Sequence, residues 1–353
     1  MTSLRQAKQR LDYIIGISRV DLYKPIQIAE VLHRSRVIGD IDPMILDSYR
    51  NASKKWRDSV TERLAGKRCT SSARFQDDLW SESAMSPALL KELDAANKKA
   101  LGAVERYIYL RYEERYGTVS NLIRLVENST ENTFHLEKLL DLFKNEAGLR
   151  RSIDKAYEVV VHSLLETVVT ELGATVKVSV DEARRPLLAE FSDLAKIVLG
   201  LDENLLSWEQ AAHIYRVGVT NAADRGLDMW ANFGVAVQVK HMTLNESLAD
   251  EIARQVESDR VVIVCRDADV KVIETVLKQI GWGSRVCGII RESDLIDWYK
   301  KCLRGDFRES LAKPLLSRLL NGFESEFPQS QTLAHFMQER GYSTIDVPTD
   351  WQT

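Results

Sequence analysis

No stretch of this sequence approaches the ~18 consecutive apolar residues that a membrane-spanning helix needs, so no membrane role is expected. The N-terminal MTSLRQAKQR lacks the apolar run of a secretion signal. Cysteine is scarce: Cys69, Cys265, Cys287 and Cys302 are the four in 353 residues, with no C-x-x-C pair and no zinc-like spacing. Cys265 and Cys287, set in apolar runs, are expected as buried free thiols. Together these absences point to a reduced, cytoplasmic protein. A basic excess is lacking too, with 48 Lys+Arg against 52 Asp+Glu and a net charge of −4. That balance does not exclude nucleic acid, because a local basic surface on an acidic protein can still hold phosphates.

One segment has that local balance. Residues 50–75 carry Arg50, Lys54, Lys55, Arg57, Arg63, Lys67, Arg68 and Arg74 against Asp58 and Glu62, eight less two, or +6. Such a run also suits a merely solvated helix face. On the nucleic-acid reading, Lys54, Lys55, Arg57, Lys67, Arg68 and Arg74 are the candidate DNA-binding residues.

A chain that is 44% hydrophobic and 28% charged can bury a core, and its length allows one large domain or two. Residues 1–149 read as mainly helical, with one long periodic stretch at 88–116 and another through Leu136, Leu139 and Leu140. Ser-rich loops are expected at 68–75 and 81–87, and a helix-turn-helix element is an option within 25–66. From 150 onward strands alternate with helices, which argues for an α/β layer. Helix 151–173 closes at Gly173. Strands are expected at 175–180, as a two-strand pattern within 214–241, at 260–266 with both faces covered, and at 285–290. Between the last two, 267–281 reads as an amphipathic helix. Pro314 falls near a helix start, and 340–353, poor in apolar residues, reads as a loose tail.

The chemistry concentrates in GLDMWANFGVAVQVKH, residues 226–241. In a strand, Val235, Val237 and Val239 point one way, while Ala236, Gln238 and Lys240 point the other. Asn232-Phe233-Gly234 is a plausible hairpin turn that brings Asp228 back beside Gln238 and Lys240. An acid, a neutral oxygen donor and a cation are the groups that metal-assisted phosphodiester hydrolysis uses. An ordinary hairpin with a wet polar face has the same spacing. Helix 151–173 adds a second feature: it is apolar nearly all round, yet Glu158, His162 and Glu166 form one polar stripe at i, i+4 and i+8. Glu158 is the candidate second metal carboxylate, with Glu166 as its substitute, and His162 reads as a satisfied core or edge histidine.

The order of a helix with Glu, a hairpin with Asp then Q-x-K, strand, helix, strand resembles the PD-(D/E)XK nuclease superfamily over roughly 150–300. Gln238 stands where an acid is usual, a departure similar to the Mrr-like branch, and it leaves the strength of metal binding in question. YKPIQIAEVLHRSR (23–36), SYRNASKKWRDSV (48–60), TSSARFQDDLW (70–80) and NAADRGLDMWANFGVAVQVKH (221–241) resemble the HaeII-type family of Type II restriction endonucleases across most of the chain. That resemblance implies Mg2+-dependent cutting of both strands of double-stranded DNA at a short symmetric sequence. A symmetric site in turn favours a homodimer.

The expected fold is therefore α/β, a PD-(D/E)XK-like core with a mixed sheet flanked by helices, behind a mainly helical N-terminal domain. The expected domains are a helical DNA-contacting domain at 1–149, a nuclease core at 150–305, and a helical extension and tail at 306–353. The expected site has Asp228, Glu158 and Gln238, or the carbonyl of Val239, as metal ligands, and Lys240 beside the attacked phosphate. Two alternatives remain: a repair or modification-directed nuclease, and a DNA-binding protein that has lost catalysis on a nuclease-like fold.

Overall fold

The computed structural model describes residues 3–18, 22–66, 77–145, 152–217, 227–244, 258–268, 286–327 and 332–348, with a few single positions between and beyond these. The chain forms two compact units, one of residues 1–129, 134–156 and 320–353 and one of residues 130–133 and 157–319.

The first unit is helical. Its N-terminal part holds α1 (Leu4–Ile17), α2 (Tyr23–Val37), α3 (Ala52–Ala65), α4 (Pro87–Lys99), α5 (Ala103–Glu127) and α6 (Leu136–Asn145). α1 opens on a capping box: the Ser3 hydroxyl accepts from the Gln6 amide N–H, and the Gln6 side-chain oxygen accepts from the Ser3 N–H. α2 is buried along an unbroken run from Pro25 to Leu32, so it sits at the centre of the unit. Around it Leu11, Leu93, Tyr109 and Tyr112 pack with Phe336 and Trp351 from the C-terminal end.

At the heart of this unit is a carboxylate. Glu105 is fully buried and accepts from Arg36 Nε (2.8 Å), Arg36 Nη2 (2.9 Å), Asn97 Nδ2 (2.6 Å) and the Tyr342 hydroxyl (2.7 Å), with His33 Nδ1 at 2.9 Å. Gly102 belongs to the same arrangement. Its φ is +109°, and a Cβ there would lie 3.1 Å from the Arg36 guanidinium.

The second unit takes in most of α7 (Ile153–Glu171), then β1 (Thr175–Ser179), α8 (Arg185–Glu190), α9 (Ser192–Leu199) and β2 (Ser207–Ala211). β3 (Ile214–Arg216), β4 (Met229–Ala231), β5 (Ala236–Thr243), β6 (Val261–Asp267) and β7 (Val286–Arg291) follow, with α10 (Glu292–Arg304) and the start of α11 (Arg308–Glu326). β1 and β2 pair antiparallel by themselves, while β3-β4-β5-β6-β7 form one sheet in that order. The first three strands are antiparallel and the last two join in parallel, so β5 is central in a mixed sheet. α10 is fastened to α7 by the Tyr299 hydroxyl, which donates to the Val160 carbonyl at 2.9 Å. The α/β class, the mixed sheet flanked by helices and the helical N-terminal region are as expected. β6 is covered on both faces, as its apolar run requires. α7 ends as expected too, with Gly173 at φ +61°.

Several local expectations are corrected. The periodic stretch 88–116 is two helices, broken where Leu101 and Gly102 both take positive φ. Val37 and Ala52 are separated by 14 residues, too many for a helix-turn-helix connection of about 3–4. Pro314 lies inside α11 rather than at its start, which deprives the Ser310 carbonyl of its helical donor. Cys287 is exposed, because β7 is the last strand of the sheet. The tail is not loose: Tyr342, Val347 and Trp351 are buried in the helical core. Most of 68–75 and of 267–281 lies outside the described residues.

The Glu105 cluster generates a pH dependence. Burial alone raises this carboxyl, but the bonds from Arg36, His33, Asn97 and Tyr342 outweigh burial and hold it down at about 2. A carboxyl depressed on folding contributes stability above its unfolded value of 4.5 and loses it as pH falls toward 2. Denaturant melts are expected to lose roughly 3 kcal/mol over that window through this group. Glu105→Gln should flatten the window, and identical profiles for variant and wild type would assign the acid sensitivity elsewhere.

Candidate active site

β4 and β5 are joined by the predicted turn, with the Ala231 N–H donating to the Val235 carbonyl (2.7 Å), the Gly234 N–H to the Ala231 carbonyl (3.0 Å), and Gly234 at φ +86°. The ladder pairs Met229 with Val237 and Trp230 with Ala236. One step further along that register sets Asp228 opposite Gln238. The contacts follow: Gln238 Nε2 donates to Asp228 Oδ2 at 2.6 Å, and the Val239 backbone N–H donates to the same oxygen at 2.7 Å.

This arrangement fixes the Gln238 amide. A carboxylate only accepts, so the nitrogen of Gln238 must face Asp228 and its oxygen must face away. That oxygen is buried with no hydrogen-bond partner among the described residues. Gln238 is 2% exposed and Ala236 3%, as deeply covered as Val237 and Val239, so the polar face of β5 is not an open wet face. Lys240, two residues on, is half-buried and makes no hydrogen bond or ion pair among the described residues.

The stripe on α7 runs along the edge strand β3. Glu166 accepts from the Ile214 N–H (2.7 Å) and bonds His213 Nδ1 (2.9 Å), while His162 Nε2 lies 2.8 Å from the Ile214 carbonyl. The carbonyl only accepts, so Nε2 of His162 carries the proton. Burial lowers the pKa of His162, which keeps the ring neutral. Both residues are thereby engaged with backbone and neighbours of the edge. Glu158, one turn nearer the N-terminus, is buried and lies 3.8 Å from the Arg216 guanidinium. Arg216 pairs with Met229 in the ladder, one position from Asp228.

The structure thus joins Asp228, Gln238 and Val239 directly and sets Glu158 at the next ladder position through Arg216. Sequence reasoning missed Arg216, which reads as a lone cation in an apolar strand and gains its meaning only when α7 docks. It also missed a cluster on the opposite face of β5 from Lys240. There His241 packs its ring 4.8 Å from Tyr157 and lies 3.4 Å from Glu292.

Of the basic candidates, Lys55 and Arg68 are exposed, Lys54 is half-buried, and Lys67 and Arg74 lie outside the described residues. Arg57 is corrected: it is 2% exposed, with its guanidinium on Gln27 Oε1 (3.1 Å) and Asp58 Oδ1 (2.7 Å), so it faces the helical core and not a ligand.

Among the described residues no group of three His, Cys, Asp or Glu side chains gathers as a metal site. The hairpin instead offers a carboxylate and an orphaned buried amide oxygen. Such an oxygen is costly to leave unpaired, and oxygen donors suit a hard divalent cation. The residues present therefore fit such a cation.

Comparison with known proteins shows the family of the chain. The profile of the HaeII restriction endonuclease family matches residues 7–342. Type II restriction enzyme HaeII of Haemophilus aegyptius is 46% identical over 350 residues, which cover 98% of this chain and 99% of that protein. Type II restriction enzyme NgoBI of Neisseria gonorrhoeae is 46% identical over 341 residues, covering 96% and 97%. No solved structure matches. Motif texture, mixed sheet and full-length similarity converge, and the chain belongs to the HaeII restriction endonuclease family of Type II restriction enzymes.

Proposed function

We propose that this chain hydrolyses both strands of double-stranded DNA at a short symmetric sequence, in a Mg2+-dependent reaction at the β4–β5 hairpin. The observation that carries this reading is the orphaned Gln238 oxygen beside the Asp228 carboxylate. Asp228, Gln238 and Glu158, with the Val239 carbonyl as a further oxygen, are the residues that would hold the cation. When bound, a divalent ion there supplies a Lewis acid for the phosphoryl oxygen and lowers the pKa of water. Asp228 orients Gln238 through the amide bond. Lys240, free of a protein anion among the described residues, is available to offset charge developing on the attacked phosphate and to orient the incoming water. His162 and Glu166 hold the edge strand and leave Glu158 as the stripe's candidate ligand.

The helical unit is proposed to contact DNA phosphates through Lys54, Lys55 and Arg68, together with Lys67 and Arg74. A homodimer is proposed because a two-fold DNA site matches a two-fold enzyme.

Asp228 should separate binding from cutting. Asp228→Asn keeps an acceptor for the Val239 N–H but removes the charge, so plasmid cleavage in magnesium should fall by at least ~10²–10³. Specific binding in a calcium gel-shift should persist, since base contacts lie elsewhere. Near wild-type cutting by a variant of unchanged thermal melt would take the hairpin out of the reaction. The wild-type digest separates the alternatives: discrete bands mean restriction, smears or structure-directed cuts mean a repair-type nuclease, and intact DNA means a binding protein.

The two stripe carboxylates should fail differently. Glu158→Ala is expected to raise the magnesium concentration needed for cutting while the melt stays put. Glu166→Ala leaves the Ile214 N–H unpaired and should cost about 1–3 kcal/mol of stability. The reverse pattern would exchange their roles.

For the basic segment, the double change Lys54→Ala with Lys55→Ala should reduce the slope of log K against log salt by up to about two units, roughly one per lost phosphate contact. An unchanged slope would return the segment to a solvated face.

A further inference from the structure

We infer that His241 is a positioning residue for cleavage: held on the inner side of β5, it fixes the direction in which Lys240, its neighbour in the chain, leaves the sheet. This role rests on the part proposed for Lys240 above, and it names what keeps that side chain in place.

β5 loses its ladder on both sides at this point. Toward β4 the pairing stops at Met229 and Val237, and beyond it the Val239 N–H is taken by Asp228 Oδ2. Toward β6, Lys240 pairs with Cys265 and the next pair is Thr243 with Asp267, so three steps on β5 meet two on β6. One residue of 241–242 is therefore extra. Such a bulge frees the backbone from its neighbour and re-aims the side chains beside it. Lys240 is the last residue in register before the bulge. Half-buried and without a hydrogen bond or ion pair among the described residues, its side chain does not anchor itself.

The anchor lies on the other face of the strand. The His241 side chain is 7% exposed, and its Nε2 lies 3.4 Å from Glu292 Oε2. Its ring centre is 4.8 Å from that of Tyr157, at an interplanar angle of 59°. Nε2 makes no hydrogen bond among the described residues, so packing on Tyr157 and the facing carboxylate hold the ring. The Tyr157 hydroxyl donates to the same Glu292 oxygen at 3.5 Å, which closes a triangle across α7, β5 and α10.

Two corners of that triangle are secured without β5. α7 is tied to β3 by Glu166 and His162, which take the N–H and the carbonyl of Ile214. α10, which Glu292 opens, is tied to α7 by the Tyr299 hydroxyl on the Val160 carbonyl. Tyr157 and Glu292 thus form a wall, and the end of β5 is the part that needs one. Pinning His241 against it fixes the backbone at 240–241, since successive side chains of a strand leave on opposite faces. Without the pin, the bulge lets the Lys240 ammonium shift, and a misplacement of about 1 Å at a reacting centre can cost on the order of 10²-fold in rate.

The test is a double-variant cycle on the full-length protein, read as single-turnover plasmid cleavage in magnesium with enzyme in excess. His241→Ala is expected to cut about 10²-fold more slowly. Its specific binding in a calcium gel-shift should match wild type, because base contacts lie elsewhere. Lys240→Ala should also cut slowly, and adding His241→Ala to it should slow cutting by less than about twofold more, because residues that act through one another are not additive. A merely structural role would give the same loss in both backgrounds. Should the alanine variant lack a wild-type far-UV spectrum, His241→Gln, which fills more of the space and keeps a donor near Glu292, goes through the same cycle with the same non-additivity expected. Wild-type cutting by the His241 variant, or equal losses in the two backgrounds, would overturn the inference and leave the reading of Lys240 intact. Wild-type cutting by Lys240→Ala would overturn both.

Discussion

The site depends on one oxygen atom. β4 is only three residues long, and it ends before it can pair with all of β5. The Val239 N–H on that side is left without a backbone acceptor, and Asp228 Oδ2 takes it while also receiving the Gln238 amide. Charge-assisted bonds of this kind contribute about 1.5–3 kcal/mol each in favourable settings. The same carboxylate oxygen thus terminates the ladder, closes the hairpin and turns the Gln238 oxygen outward. The direction of that oxygen and the place of Lys240, two residues further along β5, both follow from this end of the ladder.

An amide rather than an acid at position 238 makes physical sense against this geometry. Two carboxylates at 2.6 Å would repel strongly in a covered site, and one of them would be driven to hold its proton. At an effective dielectric near 20, like charges about 4 Å apart already cost ~4 kcal/mol. Gln238 instead donates to Asp228, so the hairpin closes without a cation to separate two anions. The corresponding loss is in cation attraction, since the neutral oxygen brings only a dipole where an acid would bring a full charge. The carboxylate of Glu158 lies beside Arg216, whose position in the ladder is one from Asp228 and whose positive charge further reduces the negative potential around the hairpin.

Much of this was legible from the residues because it is local. The ten-residue spacing of Asp228 and Gln238, a turn at Asn232–Gly234 and strict alternation in VAVQVK are enough to fix a register. The mixed sheet followed from strands alternating with helices. What was not legible depended on contacts between distant segments. Arg57 lies in a run of cations, yet it faces inward, where its Nη1–H donates to the Gln27 side-chain oxygen thirty residues away. The tail looked loose because its few apolar residues are scattered, but Tyr342 is held by Glu105, 237 positions earlier. The break at Leu101–Gly102 interrupts no hydrophobic period, and a side chain at Gly102 would meet the Arg36 guanidinium, a contact between distant segments. Periodicity records which face of an element is apolar and is silent about which polar partner waits on the other side.

The α7 stripe shows how polar groups on a buried helix can close a sheet edge. An edge strand exposes unpaired N–H and C=O groups that invite a further strand. Here Ile214 has both of its groups taken, the N–H by Glu166 and the carbonyl by His162, so β3 cannot recruit a neighbour at that position. That pairing also fixes the rotation of α7 about its axis. Residue 158 lies eight positions before 166, on the same face, so it must emerge further along the same edge, where β3 ends at Arg216 and β4 begins beside Asp228. The placement of Glu158 beside Arg216, at the end of β3, is thus a geometric consequence of closing the sheet edge.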